Sequence, residues 1–70
     1  MQIHCGIVTI SDRASRGEYD DLGGPALKAA AAEHQWTVVG EHLVPDERRE
    51  IQRAIRELIA QGAQLVLTTG

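Results

Sequence analysis

The sequence predicts an α/β fold, a three-layer parallel sheet with helices on both faces, of which these 70 residues supply the first strand-helix-strand-helix-strand half. Three observations predict it. Apolar, β-rich runs alternate with helical patterns in strict succession. The 43% apolar fraction comes almost entirely from Ile, Val, Leu and Ala, with Trp36 and Tyr19 the only aromatics, which suits strands buried on both faces. Finally, the helical segments are long enough to cross back over a sheet, which parallel pairing requires.

Each element follows in order. Residues 3 to 10, IHCGIVTI, are nearly continuous apolar sequence and read as a strand covered on both sides. The run stops at Ser11, and the polar stretch Ser11 to Gly24 reads as a loop. From about Leu22 to His34 the chain is Ala-rich, with Pro25 near the entry, where a missing N–H is tolerated, and strong helix formers behind it. Trp36 to Val44 is a second strand, made more polar by Gly40, Glu41 and His42 and therefore placed at a sheet edge.

The segment PDERREIQRAIRELIAQG reads as a helix with Asp46 as N-cap, Glu47 in the first turn and Gly62 as terminator. Ile51, Ala54, Ile55, Leu58 and Ile59 fall on one stripe. Glu50, Arg53, Arg56 and Glu57 form an ordinary solvated face. The closing run AQLVLTTG is a third strand. Right-handed crossovers and the polarity of the second strand predict the spatial order 2-1-3, the first βαβαβ half of a Rossmann-like domain. In half a domain the helical stripe and the first strand need cover from further chain or from self-association.

Composition excludes several classes. The net charge is −3 with cations and acids interleaved, unlike a nucleic-acid or membrane surface. A single cysteine, Cys5, lies in an apolar run and reads as a buried inert thiol with no disulfide partner. No secretory signal precedes the first strand and no apolar run approaches the ~20 residues of a membrane helix, so a cytoplasmic protein is expected. His4, His34 and His42 are scattered, without zinc-ligand spacing. No Ser or Cys stands in a nucleophile-elbow context, and there is no G-x-G-x-x-G.

Ligands of open α/β sheets bind beyond the carboxyl ends of the strands, where strand order reverses. Those ends carry Ser11, Asp12 and Arg13; Pro45 and Asp46; and Thr68, Thr69 and Gly70. The set suits a phosphorylated ligand: Thr hydroxyls and glycine N–H groups for phosphate oxygens, Arg13 for charge, and Asp12, Asp21 or Asp46 for Mg²⁺. Each also has a plain structural role, since Ser11 and Asp12 suit a turn, Asp46 a helix cap and Thr68 a strand.

In combination, TISDRASRGEYDDLGGPAL, LVPDE and LVLTTG resemble the N-terminal part of the molybdopterin adenylyltransferase family, the MogA/MoaB-like domain also found in gephyrin. The resemblance runs from Ile3 to Gly70. It implies a nucleotidyltransferase that binds Mg²⁺, ATP and molybdopterin and transfers AMP to the terminal phosphate of molybdopterin. It also implies a cytoplasmic trimer acting in molybdenum cofactor biosynthesis. Carried onto this chain, it assigns Ser11, Asp12, Arg13, Asp21, Thr69 and Gly70 to molybdopterin and ATP phosphates and makes Asp46 the catalytic or metal-orienting acid. In the family the third strand leads into a Gly-Gly-Thr-Gly loop, an Arg-Asp pair and a further half-domain, so residues 1 to 70 read as a domain truncated at the phosphate loop and inactive alone. Position 64, often acidic in the family, is Gln64, a change expected to weaken a metal or helix-capping contact. Two other classes compete: a noncatalytic molybdopterin- or nucleotide-binding scaffold, and a flavodoxin-like signalling module, disfavoured because no receiver-type Asp and Lys arrangement is visible.

Overall fold

A computed structural model describes residues 2–70. The elements are β1 (His4–Ile10), α1 (Asp12–Ser15), α2 (Gly23–Glu33), β2 (Thr37–Val44), α3 (Arg48–Ala60) and β3 (Leu65–Thr69). The strands form one parallel sheet in the order β2-β1-β3, as the sequence predicts.

β1 is central, and its Cys5, Ile7 and Val8 are fully buried. Alternate strand residues face opposite sides, so Val8 and Ile10 look one way and Ile7 and Thr9 the other. α3 covers the first side, where Val8 joins Val44, Ala54 and Leu58 in the core and Ile10, Ile51, Ile55 and Val66 pack around them. α2 covers the second, with Ala31 fully buried. The helices take opposite faces because the two crossovers travel in opposite directions across the sheet with the same right hand.

Leu58 is the knob that seats α3, and glycine makes its hole. Gly6 and Gly40 pair across β1 and β2. A Cβ at Gly6 would lie 2.7 Å from Leu58 Cδ1, and one at Gly40 2.9 Å from Cδ2. Gly40 therefore admits a buried leucine, whereas the sequence marks it only as one of three residues that make the second strand more polar. Next to this pair the register slips between Cys5 and Gly6, leaving Val39 without a partner on β1.

Three expectations change. The stretch after β1 is not all loop: Ser11 Oγ accepts the Ala14 N–H at 3.2 Å and starts the helical turn α1. Asp46 is not the cap of α3. The Glu47 N–H bonds back to the Pro45 carbonyl at 2.8 Å, a tight turn that leaves Asp46 outside and puts Glu47 at the N-cap without a side-chain bond. The apolar stripe also needs less outside cover than predicted. Ile51, Ala54, Ile55 and Leu58 already pack on the sheet, while Ile59, about 100° further round the helix, is 59% exposed.

Both long helices end in the same hydrogen-bonding turn. After α3, Gly62 at φ 101° donates to Ile59 O and Ala63 to Leu58 O, each at 3.0 Å. After α2, Gln35 occupies the equivalent position at φ 60°, with Gln35 N–H to Ala32 O at 3.0 Å and Trp36 N–H to Ala31 O at 2.9 Å. Among the described residues no helix is long and apolar enough to cross a membrane.

Candidate functional site

The site begins with the end of β1. Ser11 N–H bonds to Val44 O at 2.9 Å, which fastens the ends of β1 and β2 together. The chain then turns through α1 and returns along the rim to the start of α2. There Asp21 fixes the return: its Oδ1 accepts the Gly24 N–H at 2.9 Å, and its Oδ2 accepts the Thr9 hydroxyl at 3.3 Å. A carboxylate at this position satisfies an N–H that the first helical turn leaves unpaired and suits the positive end of the helix. Asp21 thereby ties α2 to β1.

The result is a cleft of about 480 Å³ at the carboxyl ends of β1 and β3. Thr9, Ser11, Thr69 and Gly70 line it from the strand ends. Ile10, Ala14, Tyr19, Asp20, Asp21, Leu22 and Gly23 complete the lining. Gly23 allows α2 to approach β3, since a Cβ there would stand 2.5 Å from Thr69 Cγ2.

The seven residues singled out in the sequence divide. Ser11, Asp21, Thr69 and Gly70 line the cleft together. Arg13 does not line the cleft; it packs on Tyr19, donating from Nη1 to the tyrosine hydroxyl at 2.6 Å with its guanidinium 5.4 Å from the ring centre. Asp12 and Asp46 form a second pair away from the cleft lining, with Asp12 Oδ1 accepting the Asp46 N–H at 2.8 Å. Tyr19 and Leu22 are the wall residues that sequence reasoning passed over as possible ligand contacts. Their signal was two large apolar side chains in a stretch too polar to fill a core.

Other candidates fall elsewhere. Gln64 lies at the opposite end of the sheet, where its Oε1 accepts the His4 N–H at 3.0 Å and its own N–H bonds to His4 O at 2.8 Å. The expected loss of a metal or capping contact at position 64 therefore has no place at this cleft. Glu57 is not purely solvated, since Oε2 lies 3.4 Å from His42 Nε2 and links α3 to β2. Cys5 is fully buried, and burial raises its thiol pKa, as suits an inert side chain. Among the described residues no three or more His, Cys, Asp or Glu side chains gather as a metal centre.

The model of the "Probable molybdopterin binding domain" family matches residues 6–70. The chain is 46% identical over 70 residues to the molybdopterin adenylyltransferase of Haemophilus influenzae, covering 93% of this chain and 34% of that protein. It is 41% identical over 71 residues to the molybdopterin adenylyltransferase of Escherichia coli, covering 97% of this chain and 36% of that one. The chain thus spans about a third of the length of these two relatives. Among solved structures, the tungsten cofactor synthesizing protein MoaB from Pyrococcus furiosus superposes with a TM-score of 0.93 at 33% identity, over 99% of this chain and 42% of that one.

Proposed function

The chain belongs to the probable molybdopterin binding domain family, and from that premise we propose that its protein is a molybdopterin adenylyltransferase of molybdenum cofactor biosynthesis. It transfers AMP from ATP to the terminal phosphate of molybdopterin. The observation that carries the reading is the cleft at the switch point, where Ser11, Thr69 and Gly70 from two neighbouring strand ends meet the start of α2.

In this reaction a molybdopterin phosphate oxygen attacks the α-phosphorus of ATP, a P–O bond forms, and pyrophosphate leaves. The protein's contribution is positioning and charge stabilisation. The Ser11 and Thr69 hydroxyls and the Gly70 N–H supply donors at the strand ends. Arg13 supplies a guanidinium, and among the described residues it pairs with no carboxylate. Asp21 serves chiefly to hold the wall, because both its oxygens already accept hydrogen bonds.

The residues present fit a Mg²⁺ ion of the substrate-bridging kind, which needs only one or two carboxylates beside phosphate oxygens. Asp46 would hold it: among the described residues its carboxylate accepts no hydrogen bond, while its backbone is pinned by Asp12. Bound there, the ion would neutralise phosphate charge. The same reading makes the protein a cytoplasmic homotrimer in which further sequence completes the phosphate loop.

The deciding experiment incubates the full-length protein with molybdopterin and ATP and measures adenylylated molybdopterin and pyrophosphate. Equimolar formation of the two is expected. Molybdopterin binding without either product would instead make the protein a scaffold.

A further inference from the structure

We infer that Tyr19 is a positioning residue: it holds the Arg13 guanidinium in place and leaves its charge uncompensated for an incoming phosphate group. This rests on the function proposed above, in which Arg13 supplies positive charge, and deepens it by naming the side chain that aims the cation.

Arg13 is held at two points. Its Nη1 donates to the Tyr19 hydroxyl at 2.6 Å, and its Cζ lies 5.4 Å from the ring centre, within cation–π range. The backbone sets this contact locally. After α1 the chain reverses at Gly17, φ 80°, where the Gly17 N–H bonds to Ala14 O at 3.1 Å and the Glu18 N–H to Arg13 O at 2.8 Å. That double closure returns Tyr19 to Arg13. A guanidinium only donates, so the hydroxyl oxygen is the acceptor. An arginine bonded to a carboxylate is fixed but neutralised, whereas one bonded to an uncharged phenol is fixed and keeps its whole charge.

The neighbouring acids sharpen the contrast. Between β1 and α2 the chain carries two arginines, Arg13 and Arg16, and four acids, Asp12, Glu18, Asp20 and Asp21. Arg16 is neutralised by Glu18, with Nε 2.7 Å from Oε2. Asp12 is committed to the Asp46 N–H, and Asp21 to Gly24 and Thr9. Asp20 joins no ion pair among the described residues, and neither does Arg13. In a segment this acidic the one cation without a counter-charge is the one that a neutral side chain holds. An anion meeting it gains the full charge and is spared the cost of ordering a long, free side chain, which is what preorganisation contributes.

The test measures inorganic pyrophosphate binding to the full-length protein by calorimetry, in the wild type, Tyr19→Phe, Arg13→Ala and the double variant. Tyr19→Phe keeps the ring against Arg13 and removes only the acceptor oxygen. It is expected to weaken pyrophosphate about three- to tenfold, and Arg13→Ala about tenfold or more. In the Arg13→Ala background, Tyr19→Phe is expected to change nothing further, because a residue that acts through Arg13 has no effect without it. Unchanged binding in Tyr19→Phe, additive losses in the double variant, or no pyrophosphate binding by the wild type each overturn the inference, even in a protein that transfers AMP. Conversely, non-additive losses in a protein that makes no adenylylated molybdopterin keep the inference and defeat the proposed reaction.

Discussion

Asp12 Oδ1 accepts the backbone N–H of Asp46 at 2.8 Å, joining the segment after β1 to the turn before α3 across 34 residues of sequence. Two acids that the sequence offers as equivalent phosphate or metal ligands thus differ in role. Asp12 holds the backbone that presents Asp46. Replacing Asp12 by Ala should cost about 1 kcal/mol, the net worth of one such bond, and speed hydrogen exchange at the Asp46 amide. Asp12→Asn keeps an acceptor oxygen and should stay near wild type. Equal behaviour of the two variants would contradict the positioning role.

Asp21 predicts a similar contrast at the cleft wall. Its two oxygens serve the Gly24 N–H and the Thr9 hydroxyl. Asp21→Ala should destabilise by about 1–2 kcal/mol, since it removes a helix-start acceptor and a second bond. Asp21→Asn retains an oxygen for Gly24 and an amide for Thr9, and should cost well under half as much. Thermal melts of the pair decide this.

Cys5 predicts a pH dependence. Burial raises the thiol pKa in the folded chain, so the unfolded chain loses its proton first as pH rises. The contribution to stability is fully present below the unfolded thiol value and is lost as pH rises from that value through the raised folded one. Denaturant titrations across the alkaline range should show this decline in the wild type and a shallower one in Cys5→Ala. Alkylation of Cys5 should be slow until the chain unfolds.

The fold was legible because its signals were redundant. Ile7 and Val8 in an apolar run, the stripe at Ile51, Ala54, Ile55 and Leu58, and Gly62 at a helix end each follow from local chemistry. The turn at Pro45 was less legible, because Asp46 suits a cap by residue type and only the Glu47 to Pro45 bond moves the helix start one residue on. Gly40 read only as part of a more polar edge strand because its use depends on Leu58, 18 positions away. At the site, residue types revealed which strand ends meet but not which side chains line the cleft. Arg13 and Tyr19 are six residues apart, and their bond holds the cation on the tyrosine while Asp20 and Asp21 line the pocket.

Gln35 carries a backbone cost that glycine would remove. At φ 60° it holds the left-handed position ending α2, where a side chain is disfavoured by about 1–2 kcal/mol, partly offset in Gln35→Gly by the greater freedom of unfolded glycine. A net gain of about 0.5–1 kcal/mol is expected, measured as a higher denaturation midpoint at constant slope. A lower midpoint would mean that the Gln35 side chain contributes more than its backbone costs.

Asp46 gives the sharpest separation of structure from chemistry. It lies outside α3, its N–H is bonded to Asp12, and its carboxylate accepts no hydrogen bond among the described residues. Asp46→Asn changes neither backbone nor size, so the melting temperature of the full-length protein should not move. If Asp46 orients Mg²⁺ at the reacting phosphates, the same change removes one negative charge where the ion must sit. Loss of one such electrostatic element costs about 10² to 10³ in rate at comparable sites. AMP transfer to molybdopterin should therefore fall at least tenfold, and raising the Mg²⁺ concentration should recover part of it because the defect lies in holding the ion. Full turnover in Asp46→Asn would remove Asp46 from the chemistry and leave it as a link of the turn that Asp12 fastens.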